Sequence, residues 1–180
     1  GGLAVGAKIA ISIGGIVFGT GLYVLGKYAF SNTWYGNIIS NTGLLIAGIS
    51  GNVFLRLTIG ANAFFTDKLI GKIIYTGCRI PLVGAEIAFF DKLILQPMLG
   101  LYGDYISDDP KHNFSFSEYY NKQAETTWKE LGTYYPTVAF LALTVGAIFR
   151  GAVKLFPGAV KAEEGAGAVF KNAIALLKDN

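Results

Sequence analysis

The chain is 180 residues long, 52% hydrophobic and only 15% charged, whereas soluble domains carry roughly 25% charged residues. Its formal charge of +3 is too small and too scattered to suit a nucleic-acid partner. A single cysteine, Cys78, and a single histidine, His112, exclude an internal disulfide, a multi-cysteine metal site and bis-histidine haem ligation within the chain.

Residues 9–26 are uncharged between Lys8 and Lys27. At 1.5 Å per residue such a run just covers a hydrocarbon core of about 30 Å once the flanking lysines snorkel. Gly6, Ala10 and Gly14 recur every four positions, and Gly15 with Gly19 makes a GxxxG step. Small residues at that spacing let a second helix backbone approach closely, so they are read as a helix-packing face. A phosphate-binding loop is excluded, since neither the lysine–serine pair nor a strand-to-helix context accompanies the glycines.

Residues 31–37, SNTWYGN, form a turn with boundary-seeking aromatics, Trp34 and Tyr35. A second span is expected over 38–55, closed by Arg56, with small packing positions at Gly43, Ala47 and Gly51. Asn41 and Asn52 are polar groups that would seek partners inside a bundle. The mixed stretch 57–72 carries Phe64, Phe65, Leu69 and Ile70 against Asp67, Lys68 and Lys72, and reads as an interfacial segment.

The stretch 69–102 is apolar yet contains Lys72, Arg79, Glu86, Asp91 and Lys92. Ionisable groups at the bilayer centre cost about 2.5–3.5 kcal/mol on insertion scales, so they are paired or functional. If a helix runs from about 76 to 100, Arg79, Glu86, Asp91 and Lys92 form an intramembrane polar seam. Arg79 and Glu86 share a face, while about 10 Å of helical rise separates them. Glu86 then needs a donor such as Asn41, Asn52 or another subunit. The clean spans carry no ionisable group except tyrosine, so the expected partners of the seam lie outside this chain.

Residues 103–130 form an aqueous acidic loop, with six acids against three bases between Asp104 and Glu130. Its acidic cluster matches no metal-binding loop. Ser115 or Ser117 is expected to start a short helix, supported by Glu118. The span 131–149 is the cleanest, with Trp128, Tyr134 and Tyr135 as an aromatic belt at one end and Arg150 and Lys154 at the other. Residues 159–180 have the pattern of an amphipathic helix lying on a membrane surface or a partner.

The expected fold is an all-α membrane protein of about four spans, or three if the charged stretch does not cross. The membrane domain covers 1–158 and the amphipathic tail 159–180. Four spans put ten of the fifteen lysines and arginines on one side, consistent with the positive-inside rule. No motif covers enough of the chain to carry over a family's residues.

Without a nucleophile–base pair or ligand cluster, an enzyme is not expected, nor is a cofactor. The expected function is a non-catalytic accessory subunit of a large hetero-oligomeric membrane complex, of respiratory-chain or ATP synthase type, acting in assembly and lipid binding. A small channel or transporter using Glu86 is the alternative. Lys68, Lys72, Arg150 and Lys154 are candidate contacts for anionic headgroups such as cardiolipin. An opening glycine in place of methionine points to a removed targeting peptide and the mitochondrial inner membrane, with a thylakoid or other organellar membrane as the alternative.

Overall fold

A computed structural model describes the backbone of residues 4–107 and 114–155, and side chains as far as residue 150. The described residues are helical with no strand, and four helices are long and apolar enough to cross a membrane: Val5–Ala29, Trp34–Ala61, Leu69–Ile106 and Glu130–Arg150. The 159–180 tail lies outside the described residues. The chain divides into two compact units, Gly1–Phe140 and Leu141–Asn180. Within the second, the described residues continue a helix to Leu155, and Arg150 Nε donates to the Gly146 carbonyl at 3.3 Å.

The first long helix is α-helical to Val24 and closes with a wide π-turn, Leu25–Ala29. A tight turn follows, with Asn32 at φ 61°, a left-handed position that asparagine tolerates. Thr33 then caps the second helix by accepting the Gly36 N–H on its Oγ1 at 3.0 Å.

The first two helices pack backbone against backbone. A Cβ on Gly19 would lie 2.5 Å from both the Ala47 nitrogen and the Gly43 carbonyl oxygen. Gly15 faces Ser50, and Gly26 lies against Gly36 and Ser40. Gly6 and Gly14 have nothing within 4 Å of such a Cβ, and Ala10 is exposed. At 100° per residue, Gly15 and Gly19 lie roughly opposite the face of Gly6, Ala10 and Gly14. The first helix therefore has two small-residue faces, and among the described residues only one of them is packed against another helix.

The third helix begins at Leu69, earlier than the expected 76, and continues to Ile106. The break before it is a single extended residue, Lys68, which follows the short helix Ala63–Asp67. Gly48 and Gly51 of the second helix receive Leu82 and the Glu86 side chain, and Gly84 lies against the backbone of Tyr135. Further π-turns interrupt the third helix at Asp91–Leu95, follow a short helix at Tyr119–Gln123 and open the fourth long helix at Glu130–Tyr134. Ser115 starts the short helix Phe116–Glu118, its Oγ accepting the Glu118 N–H at 3.4 Å.

The interior is inverted relative to a soluble protein. Its largest fully buried side chains are Tyr23, Tyr135, Asn41 and Thr126, each carrying a polar group. Large aliphatics face outward, among them Ile11, Val17, Leu69 and Ile148. Large apolar side chains exposed on helices this long suit a lipid- or partner-facing exterior.

Candidate functional site

The charged residues of the third helix divide between two places. Asp91 follows Glu86 by five residues, which is roughly 140° around a helix, so the expected single seam is split. Arg79 and Glu86 are seven residues apart and do share a face.

Asp91 and Lys92 are buried in a polar knot at one end of the bundle, each only 8% exposed. Asp91 Oδ2 accepts from Tyr135 Oη at 2.7 Å and from Gln96 Nε2 at 2.8 Å. Lys92 Nζ pairs with Glu130 Oε2 at 3.0 Å and reaches the Gln123 carbonyl at 3.5 Å. These charges were expected to be matched by another subunit. The structure corrects that: the fourth helix and the 119–127 segment supply their partners. A buried charge is tolerated when paired or well hydrogen-bonded: Lys92 is paired with Glu130, while Asp91 is held by two neutral side-chain donors.

The π-turn contributes to this arrangement. Where the helix widens, the carbonyl of Lys92 accepts from Tyr119 Oη and that of Leu93 from Tyr120 Oη at 3.2 Å. Burial, reinforced by the Asp91 charge, pushes the Tyr119 phenol above its ordinary pKa, so it stays a donor.

The 119–127 segment is then fastened to the first two helices. Asn37 Nδ2 donates to the Tyr120 carbonyl at 2.7 Å, and Asn41 Nδ2 donates to that of Ala124 at 2.8 Å. Asn41 Oδ1 accepts from the Thr126 hydroxyl. Tyr23 Oη and Lys27 Nζ both reach the Thr126 carbonyl, at 3.1 and 3.0 Å, and Lys27 also pairs with Glu125 at 3.4 Å. Asn41 therefore fills the bundle role expected of it, although its partner is a loop carbonyl.

Asn52 meets Glu86 instead. Its Nδ2 donates to Glu86 Oε1 at 2.8 Å, supplying one of the donors that Glu86 was expected to need. Both line a groove of about 250 Å³ between the second and third helices, together with Arg56, Tyr75 and Arg79. The Arg79 guanidinium carbon stands 5.7 Å from the Tyr75 ring centre. The ion pairs among the described residues are Lys27–Glu125 and Lys92–Glu130, so neither arginine is paired with Glu86.

Of the expected headgroup contacts, Lys72 is exposed, and Lys68 Nζ lies 5.6 Å from the Phe64 ring centre. Arg150 is exposed in the second unit, and the Lys154 side chain lies outside the described residues. Arg56, which ended the second span in the sequence, was not singled out as a site residue and proves to line the groove. Tyr119, Tyr120, Thr126, Glu130 and Tyr135 were also missed as site residues. Among the described residues no three His, Cys, Asp or Glu side chains come together as a metal site. No family model matches the chain, and neither a curated protein nor a solved structure matches it significantly.

Proposed function

We propose that this chain is a non-catalytic structural subunit of a larger membrane assembly, holding neighbouring helices and lipids in place. The observation that carries this reading is the unused face of the first helix. Gly6, Gly14 and Gly21 all open onto space among the described residues, and Ala10 between them is exposed. Glycine inside a helix costs about 1 kcal/mol against alanine, a cost that close helix packing can offset. On the opposite face the second helix supplies that packing, so a helix from another subunit is the proposed occupant here. The host we propose is a respiratory-chain or ATP synthase complex of the mitochondrial inner membrane, a choice resting on protein class and not on any residue.

Extraction in mild detergent tests the reading. The intact chain is expected to co-purify with other membrane subunits. Gly14→Leu is expected to release them while leaving the fold intact, because the site is open. Recovery as a stable homo-oligomer without other subunits would sink the proposal.

The groove around Glu86 favours a second reading, a small channel or transporter. Unchanged ion flux through liposomes carrying Glu86→Gln would remove its main residue.

A further inference from the structure

We propose that the groove between the second and third helices binds the phosphoethanolamine headgroup of a bilayer phospholipid. The proposal deepens the lipid-holding part of the function above. It rests on the chain lying in a bilayer and needs no partner subunit.

The groove offers both signs of charge, and they do not neutralise each other. Arg56 and Arg79 line it beside Glu86, yet no ion pair joins either arginine to that carboxylate among the described residues. A ligand satisfying all three must carry an anion and a cation of its own. Guanidinium groups suit phosphate, which they can hold through paired N–H donors.

Glu86, held by Asn52, sets the chemistry of the cationic end. The Asn52 amide nitrogen is committed to Glu86, so its oxygen must point the other way. That oxygen, Oδ1, is shielded from solvent and accepts no hydrogen bond among the described residues. Glu86 takes the one hydrogen bond from Asn52 among the described residues, so its carboxylate, which lines the groove, keeps acceptor capacity for further N–H donors. A primary ammonium supplies them. A choline headgroup has the charge but no N–H, and a glycerol headgroup has hydroxyl donors but no cation.

The position fits a lipid. Arg56 lies in the last turn of the second helix and Lys8 in the first turn of the first, so both belong to the same end of the helix pair. A second groove of about 320 Å³ adjoins the first across Ile49, Val53 and Arg56, with Lys8, Ile11 and Leu57 also on its walls. One groove thus takes the headgroup, and its neighbour receives the start of an acyl chain.

The test uses the full chain in nanodiscs containing equal amounts of phosphatidylethanolamine, phosphatidylcholine and phosphatidylglycerol. Lipid kept through mild detergent is then counted by native mass spectrometry. The ethanolamine lipid is expected in about five- to tenfold excess, the scale of one charge-assisted hydrogen bond. Glu86→Gln and Asn52→Leu should bring that excess near parity, Arg79→Gln should lower retention of all three lipids, and Lys122→Gln should change nothing. The wild-type comparison stands even if a variant misfolds. Equal retention of the choline lipid, or an excess of the glycerol lipid, overturns the proposal. Failure to enter the discs overturns the membrane reading as well. Entry with ethanolamine selectivity but without co-purifying subunits in the native extract leaves this proposal standing and removes the structural-subunit reading.

Discussion

Tyr135 donates its hydroxyl to Asp91 Oδ2 at 2.7 Å, joining the start of the fourth helix to the middle of the third. Tyr135 is fully buried and Asp91 nearly so, hence the phenol is one of two side-chain donors holding a carboxylate away from water. Tyr135→Phe should destabilise the protein by about 1–3 kcal/mol, the cost of a buried acceptor losing a partner. Tyr134→Phe, at an exposed neighbour, should leave thermal unfolding in detergent unchanged. Equal melting of the two variants would show that the bond contributes nothing.

Lys92 and Glu130 should couple in a double-mutant cycle. Lys92→Met leaves Glu130 without its 3.0 Å partner, and Glu130→Gln leaves Lys92 charged and buried. Each single change should cost more than its share of the double change, with a coupling of about 0.5–3 kcal/mol. Additive losses in urea or thermal titrations would place the pair among ion pairs of no consequence.

The two faces of the first helix should respond oppositely to the same substitution. Gly19→Ala puts a methyl 2.5 Å from the backbone of the second helix, so the pair must separate. Overpacking of this kind costs about 1–3 kcal/mol. Gly14→Ala fills open space and should stabilise the isolated chain by up to about 1 kcal/mol through helix propensity. Tryptophan-fluorescence melting curves on the two variants decide the matter.

Tyr119 predicts an alkaline limit to stability. Burial raises its pKa in the folded state, so the folded protein keeps the proton when the unfolded chain has begun to lose it. Below the unfolded value of about 10 its contribution is intact, and stability falls as pH rises above that point. Melting temperature should drop as pH rises above about 10, and less steeply in Tyr119→Phe, where this proton is absent. An identical slope in both proteins would assign the loss to other groups.

Three of the four long helices were legible because uncharged runs bounded by charged residues follow directly from the cost of placing charge in hydrocarbon. The charged third was expected to cross only from the side-to-side count of lysines and arginines. The Ser115 cap was legible for a similar reason: its hydroxyl and Glu118 stand at a fixed spacing. Pairing of the buried charges was not. Asp91 and Tyr135 are 44 residues apart, and only tertiary folding brings them together. Nor does any residue pattern announce the π-turn at Asp91–Leu95, whose carbonyls meet Tyr119 and Tyr120. The packing face was half legible. Spacing marked Gly6, Ala10, Gly14, Gly15 and Gly19 of the first helix but not Gly21 or Gly26, and it could not tell the face against the second helix from the one left open.

The segment crossing the helix ends is gripped largely by its main chain. Asn37, Asn41, Lys92, Tyr23 and Lys27 reach the carbonyls of Tyr120, Ala124, Gln123 and Thr126. A carbonyl is the same whatever side chain follows it. Mutational drift at positions 121–123 should therefore be cheap, while the asparagines and lysines that hold those carbonyls should be costly to replace. In a library of variants, tolerance would map onto positions 121–123 of the segment being held, and constraint onto the helix residues that hold it.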